Sequence, residues 1–574
     1  MHEVPVAATG LLASFCAAGM LKPIDFHLAR RLATLAGETD PEVQLAFAMA
    51  ARELRLGSVC VDLSTASLAL LPEADLDGQA TPGDLPVLAW PEPGGWVTRV
   101  AASPAVGVPE AETRPFRLDG SLLYLDRYWK QERRLSRALR LRSSTEAPAV
   151  PCAAVAAAAG ETPDEYQEAA VAAALSHGTT VITGGPGTGK TSIVARILDS
   201  LAPSDPRVAL AAPTGKAAAR LQSAVAERLT GSLRLWGGTL HKLLGARPRS
   251  MHLEYGPASP LPFDVVVVDE TSMVSLELMG HLVAALAPET RLILLGDPHQ
   301  LRSVEAGAVL ADIEQAGTLV TEPGGHIARL RTNFRSNQEI NRLAEAILAG
   351  DPAAARQVIQ ESHSIELIAF DGTADPVSLP TVREDVLATA SGVVAAAVRG
   401  EAVGALTALG AHRVLCGHRE GPFGVGHWAR SARAWLATQL PDYGFDGRPY
   451  AGQPLLIQRN TDLYHNGDTA VVLQGADGDL VAVVDRPDGP LWVAPALLDD
   501  AADLHAMTIH KSQGSQFGTV SVVIPPSGSA LLTRELLYTA VTRARGRVRL
   551  YGSWERLEEA IATPVRRASG LARH

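Results

Sequence analysis

The sequence predicts an α/β fold built on a phosphate-binding loop, and three observations carry that prediction. Residues 184–191 read G-G-P-G-T-G-K-T, which fits the pattern G-x-x-x-x-G-K-[ST]. A β-branched run, TTVIT at 179–183, precedes the loop, and residues 190–200 have helical spacing after it. Beyond the loop, unbroken apolar runs such as VALAA, VVVVD and LILLG alternate with amphipathic stretches. Strands of a parallel sheet covered on both faces read this way.

Composition bounds the rest. At roughly 150 residues per domain, a chain of 574 residues implies about four domains. Hydrophobic content of 47% and charged content of 20% describe an ordinary globular chain. A net charge of −11 means that any site for a polyanion is a local positive channel, not a field of the whole chain. The four cysteines, Cys16, Cys60, Cys152 and Cys416, are scattered without a C-x-x-C pair, which suits a reducing cytosol and argues against a zinc site. No apolar run reaches the roughly 18 residues that a membrane span needs, so the expectation is a cytoplasmic protein without a membrane anchor.

Residues 1–145 form the first unit, expected to be helical, with apolar spacing at 24–36 and 41–56. SVCVDLS at 58–64 reads as a short strand or a helix end. Residues 122–142 read as one amphipathic stretch rich in arginine, either a solvated face, a docking surface or a DNA contact. Its aromatics Tyr124, Tyr128 and Trp129 are residue types enriched at interface hot spots. Ala- and Pro-rich residues 147–160 read as a linker. Thr162, with Pro163 next and Glu165 three on, reads as the cap of the helix carrying Gln167.

The loop domain covers 151–325, with 230–263 as an excursion between two strands. A second α/β unit covers 326–447 and 501–574. Between its halves, residues 448–500 carry Asp-Gly turns between alternating strands, the signature of hairpins and hence of a small β-barrel.

The motifs then assign chemistry. Gly184, Gly185, Pro186, Gly187, Thr188 and Gly189 let backbone N–H groups close on phosphates without Cβ clashes, at a helix N-terminus that carries partial positive charge. Lys190 reaches the β and γ phosphates, and the Thr191 hydroxyl ligates Mg²⁺. The strand ending in Asp269-Glu270 supplies a carboxylate for Mg²⁺ (Asp269) and one that orients the attacking water (Glu270). Gln300, at the end of a later strand, is placed to sense the γ phosphate, and Gln167 to read the adenine edge. Arg335 and Arg543 are candidate arginine fingers from the second unit. Thr214, Lys216, Thr239, His241, Thr508 and His510 lie at element ends and suit phosphate contacts without base specificity.

Taken in order from Gln167 to Arg549, these segments resemble superfamily 1 helicases of the 5′→3′ subclass, and within them the RecD family, the alpha subunits of exodeoxyribonuclease V (RecBCD). REGPFGVGHW at 419–428, RNTDLYHNGDTA at 459–470 and the tail ATPVRRASGLA share that look. The resemblance implies two RecA-like lobes that bind ATP and Mg²⁺ between them. It also implies single-stranded and duplex-end DNA as substrate, and RecB-like and RecC-like partners in a heterotrimer. The 230–263 excursion becomes a pin-like subdomain and the 448–500 piece an SH3-like insertion. The N-terminal unit becomes the partner-docking domain, and the nuclease lies on another subunit. Gln516 stands where the family usually has Glu, which puts ribose contacts in doubt. Two alternatives stay open: a stand-alone 5′→3′ helicase, and an ATP-gated DNA-binding subunit without robust unwinding.

Overall fold

A computed structural model of the chain describes residues 3–68, 88–107, 113–145, 164–231, 233–247, 252–303, 305–317, 320–321, 324–334, 337–373, 379–440, 443–444, 448–461, 463–498, 500–565 and 567–573. The linker expected at 147–160, the Thr162 cap, Cys152 and Arg335 lie outside the described residues.

The N-terminal unit is mixed, not purely helical. Helices Pro23–Ala36 and Pro41–Arg55 form as the apolar spacing predicts, and a shorter helix, Gly10–Ala17, precedes them. They pack with a four-stranded sheet in the order Cys60–Asp62, Leu122–Leu125, Phe116–Asp119, Val106–Gly107. SVCVDLS is therefore a strand. The arginine-rich stretch also divides: Leu122–Leu125 is an inner strand, and the helix Asp126–Ser143 starts only after it. Tight turning at Gly120, with φ of 61°, makes the hairpin possible.

That helix buries one face against a neighbouring domain, while Arg127, Arg134 and Arg137 stay exposed on the other. It lies on the Leu276–Ala284 helix of the loop domain. Leu135, Leu139 and Trp129 join one apolar core with Met279, Leu292 and Val266. Arg127 pairs with Glu277 at 2.7 Å, and Arg142 donates to the carbonyl of Ala287 at 3.0 Å. The hot-spot reading fails for Tyr124 and Trp129 because both are buried, while Tyr128 is half-buried. Tyr124 is fully buried and Trp129 is 8% exposed, its ring stacked under Arg117 and its indole N–H donating to Asp119 at 3.3 Å. Long arginine stems cover apolar surface while their heads find carboxylates and carbonyls, so a domain junction reads like a wet helix in sequence.

In the loop domain six strands run parallel in the order Gly325–Arg329, Thr179–Thr183, Arg291–Gly296, Val265–Val268, Val208–Ala212, Leu235–Thr239. Two expectations change here. Gly325–Arg329 pairs with Thr179–Thr183, so the first sheet extends past the boundary placed at 325. The 230–263 segment is not wholly an excursion, because Leu235–Thr239 is the far edge strand and Leu240–Leu243 a short helix after it. The helix carrying Gln167 is Glu165–Ser176, and Asp164 caps it by accepting from the Gln167 N–H at 2.9 Å.

The second α/β unit has five parallel strands in the order Ile365–Ile368, Ala544–Tyr551, Phe517–Val523, His412–Cys416, Ala506–Thr508. The β-rich piece is a five-stranded antiparallel sheet with Leu491–Val493 and Ala501–Asp503 at its edges. It thus runs to 503 instead of 500. Its hairpin between Thr469–Gln474 and Leu480–Val484 turns at Gly478, φ 86°, as the Asp-Gly signal predicts. No helix among the described residues is long and apolar enough to cross a membrane.

After the last helix, Trp554–Ala562, the chain returns to the N-terminal unit. The N–H of Val59 donates to Ala568 O at 3.0 Å, and Ser569 Oγ donates to the Glu132 carboxylate at 2.6 Å. Burial pushes the Glu132 carboxyl up to about 7. The tail fits because residue 570 is Gly: a Cβ there meets the Tyr124 hydroxyl at 2.1 Å.

Candidate nucleotide site and nucleic-acid cleft

Parallel strands bring all their carboxyl ends to one edge, and ligands of open α/β sheets bind there. In the first sheet that edge gathers the 184–191 loop after Thr183, Asp269-Glu270 after Val268, and Asp297 to Gln300 after Gly296. The loop is pinned to its neighbour strand by the Gly184 N–H donating to Gly296 O at 3.1 Å.

The glycines are required by what surrounds them. Gly187 and Gly189 adopt φ of 90° and 85°, where side chains are strained. A Cβ on Gly189 meets Gln167 Nε2 at 2.5 Å, and one on Gly185 meets the Tyr538 hydroxyl at 2.9 Å. The cradle is thus of polyphosphate shape and has no room for side chains. Lys190, at the first position of the helix Lys190–Leu201, donates to the loop carbonyls of Gly184 (2.5 Å) and Gly185 (3.0 Å). Thr191 follows it in the same turn.

Asp269 accepts from the Glu270 N–H at 2.8 Å. Glu270 itself sits at φ 51°, a strained conformation for a residue with a side chain, of the kind found where a fold aims a functional group. Burial pushes both carboxyls above the usual range; the Asp269 charge adds to the rise on Glu270, and Lys190 and Arg543 oppose it. Gln300 is buried; its Nε2 donates to Asp297 at 3.0 Å, while its Oε1 has no partner among the described residues. Such an orphaned acceptor fits a water or a protonated ligand group.

The second unit closes this edge. Arg543 is buried, held by carbonyls of Thr539 (3.1 Å) and Ser515 (3.4 Å). Burial lowers its pKa, and the nearby Glu270 and Asp297 charges hold it up. Gln167 Nε2 donates to Thr188 O at 3.1 Å, so its amide braces the loop beside the cradle. Gln516 accepts from Arg545 at 3.4 Å.

Three side chains at this junction were missed by the sequence reading. Tyr538 donates its hydroxyl to Asp297 at 2.9 Å, crossing from one unit to the other. Asn333 donates to Pro186 O at 2.8 Å, and the Thr539 hydroxyl accepts from the Leu301 N–H at 2.9 Å. The only signal for Tyr538 was its place five residues before Arg543.

A separate cleft of about 1760 Å³ runs between the two α/β units and the N-terminal unit. All six residues chosen for phosphate contacts line it: Thr214, Lys216, Thr239, His241, Thr508 and His510. Four do local work as well, Thr508 by accepting from the Lys511 N–H at 3.3 Å. Thr214 and Thr239 cap their helices, and Lys216 donates to Gly467 O in the inserted sheet at 3.2 Å. Burial, with Arg567 and Arg419 nearby, lowers the His510 pKa.

Known proteins share these features. The family model described as RecBCD enzyme subunit RecD, N-terminal domain, matches residues 17–124. The AAA domain matches 167–306, and the UvrD-like helicase C-terminal domain matches 503–551. The RecBCD enzyme subunit RecD of Mycolicibacterium smegmatis is 45% identical over 579 residues, covering 96% of this chain and 97% of that protein. The chain belongs to the RecD family. RecD of Mycobacterium tuberculosis is also 45% identical, over 99% of this chain and 97% of its own length. The ATP-dependent RecD2 DNA helicase of Deinococcus radiodurans is 32% identical over 68% of this chain but 49% of its own length. A crystal structure of Pif1 helicase from Candida albicans covers 70% of this chain at 17% identity with a TM-score of 0.38, too distant to carry an argument. RecD-family membership and the loop domain make this a P-loop ATPase.

Proposed function

We propose that this chain is the ATP-dependent 5′→3′ DNA helicase subunit of a RecBCD exodeoxyribonuclease V, cytoplasmic and nucleoid-associated, acting at duplex ends in double-strand break repair and recombination. The observation that carries it is a nucleotide site divided between two units, with Lys190, Asp269 and Glu270 on one and Arg543 and Tyr538 on the other. Such a site opens and closes as the units move. MgATP, when bound, supplies the phosphoanhydride whose cleavage drives that motion. With the nucleotide bound, Lys190 would leave its loop carbonyls to meet phosphate charge, Thr191 and Asp269 would hold the metal, and Glu270 would orient and polarise the attacking water. Arg543 would meet charge developing on the γ phosphate. Gln300 and Tyr538 both bond Asp297, so the state of the site is transmitted to the neighbouring unit.

The strand itself fits the wide cleft. Among its lining residues eight are Lys or Arg and five Asp or Glu, the reverse of the chain as a whole. Separating duplex DNA costs about 1.4 kcal/mol per base-pair step from stacking, which requires coupling to hydrolysis. The near full-length match to RecD proteins, against half-length to a RecD2 helicase, supports a complex subunit with RecB-like and RecC-like partners over a stand-alone enzyme. Residues 1–145 remain the proposed docking domain, by a face other than the buried Trp129. The test is strand displacement by the complex whose RecB-like motor is inactivated. A 5′ overhang should be unwound; preference for a 3′ overhang sinks the assignment.

A further inference from the structure

The wide cleft does not stop at the two α/β sheets. It continues over the N-terminal unit, past Leu21, Lys22 and Arg55, and along the C-terminal tail through Arg567 and Ala568. Neither region carries any motif that explains this.

At the junction, Arg567 reaches three units at once. It belongs to the tail, its Nη1 donates to Ser303 O of the loop domain at 2.8 Å, and its guanidinium lies over Gly57 of the N-terminal unit. A Cβ on Gly57 meets Arg567 Cζ at 2.7 Å, and that glycine has φ 90°, so the backbone there is shaped to admit the guanidinium. Burial, with the Arg302 charge nearby, pulls Arg567 down to about 10. Buried Arg302 Nε has no partner among the described residues.

Anions do not balance this cluster from within. Asp312 lies buried nearby and offsets part of the charge, but it does not line the cleft. Of the five lining carboxylates, Glu53 pairs with Arg52, Asp62 with Arg573 at 3.6 Å, and Glu535 accepts from the Val565 N–H at 2.8 Å. Glu3 and Glu420 are the other two. Among the described residues Arg302, Arg419 and Arg567 form no ion pair.

We propose that Arg302 and Arg567, with Lys22 of the same cleft, form a second phosphate subsite that carries a single strand off the motor and across the N-terminal unit. This rests on the reading of the wide cleft as the strand path. The ligand class is the phosphodiester backbone of single-stranded DNA, held without base selection. Continuity with the residues of the motor cleft favours it over an acidic segment of a partner protein. The tail then has a function: clamping by Glu132 at Ser569 and Gly570 sets Arg567 in place.

The test is oligo(dT) binding by the full chain, followed by fluorescence anisotropy against strand length and salt. Wild type should gain affinity between strands of about 6 and about 20 nucleotides, as the second subsite fills. The variant Lys22→Gln/Arg302→Gln/Arg567→Gln should keep short-strand affinity and lose that gain. Its slope of log K against log salt on the long strand should fall by about 2, at about 0.7 for each phosphate no longer neutralised. Lys22 is exposed, so Lys22→Glu alone reads the same loss if the arginine variants do not fold. An unchanged length gain and salt slope in folded variants overturns the subsite. Unchanged DNA binding with weakened association of the partner subunits overturns it in favour of an acidic protein segment. If His510→Ala leaves short-strand binding intact while the triple variant loses the gain, the motor-cleft reading fails and the subsite stands.

Discussion

The nucleotide site and the wide cleft lie at the same junction of units and are built in opposite ways. The nucleotide site is narrow and buried, and its core is one run of eight residues whose glycines are fixed by φ and by close neighbours. The wide cleft draws its lining from Glu3 to Ala568, with no segment that reads as a site alone. Charges differ too. Carboxylates in the narrow site are buried beside Lys190, Arg220 and Arg543, whereas the wide cleft is lined by a cationic excess. A site that does chemistry on one small ligand needs strained, dry geometry. A site that lets a polymer slide needs many weak, exchangeable contacts.

Substitutions that separate the two sites sharpen this comparison. The largest effect belongs to Arg543→Ala. Its buried guanidinium feels the Glu270 and Asp297 charges of the loop domain, so ATP turnover should fall by about 10³–10⁵-fold while ATP and strand binding persist. Steady-state ATPase with a nucleotide-binding titration checks this; normal turnover breaks the two-unit assignment.

Lys190→Ala comes next. Loss of one preorganised donor at a developing charge costs about 10²–10³-fold in kcat. Oligo(dT) affinity should not move, because Lys190 does not line the wide cleft. A matching loss of strand affinity would show that the two sites are one.

Tyr538→Phe removes only the hydroxyl that reaches Asp297. A hydrogen bond to a charged group contributes about 1.5–3 kcal/mol, so kcat should drop by about 10- to 100-fold with little change in KM. The telling measurement is the coupling ratio, base pairs unwound per ATP. It should fall too, since through Asp297 this bond joins Gln300, the proposed γ-phosphate sensor, to the second unit.

The smallest effect is a shift in a pH profile. Glu270 acts ionised, and burial raises its pKa, so kcat should decline on acidification at a pH above about 4.3, the ordinary glutamate value. An acidic limb at or below that value removes the buried base from the account.

What the sequence determined by itself is local. The 184–191 loop, Asp269-Glu270 and the hairpin at Gly478 were legible because glycine conformations, strand ends and turn chemistry act within a few residues. The parallel sheets were legible because strands covered on both faces leave unbroken apolar runs. Tertiary structure alone decided three things. It made the arginine-rich helix Asp126–Ser143 a domain junction, since its polar face has the same pattern whether water or the Leu276–Ala284 helix lies against it. It moved Gly325–Arg329 and Leu235–Thr239 to the edges of the first sheet, because edge pairing depends on which backbone is nearby and these strands have weak apolar patterns. And it brought Arg567 to Arg302 and Gly57, residues hundreds of positions apart, because the tail crosses the whole molecule to reach a buried carboxylate that no local pattern in the tail announces.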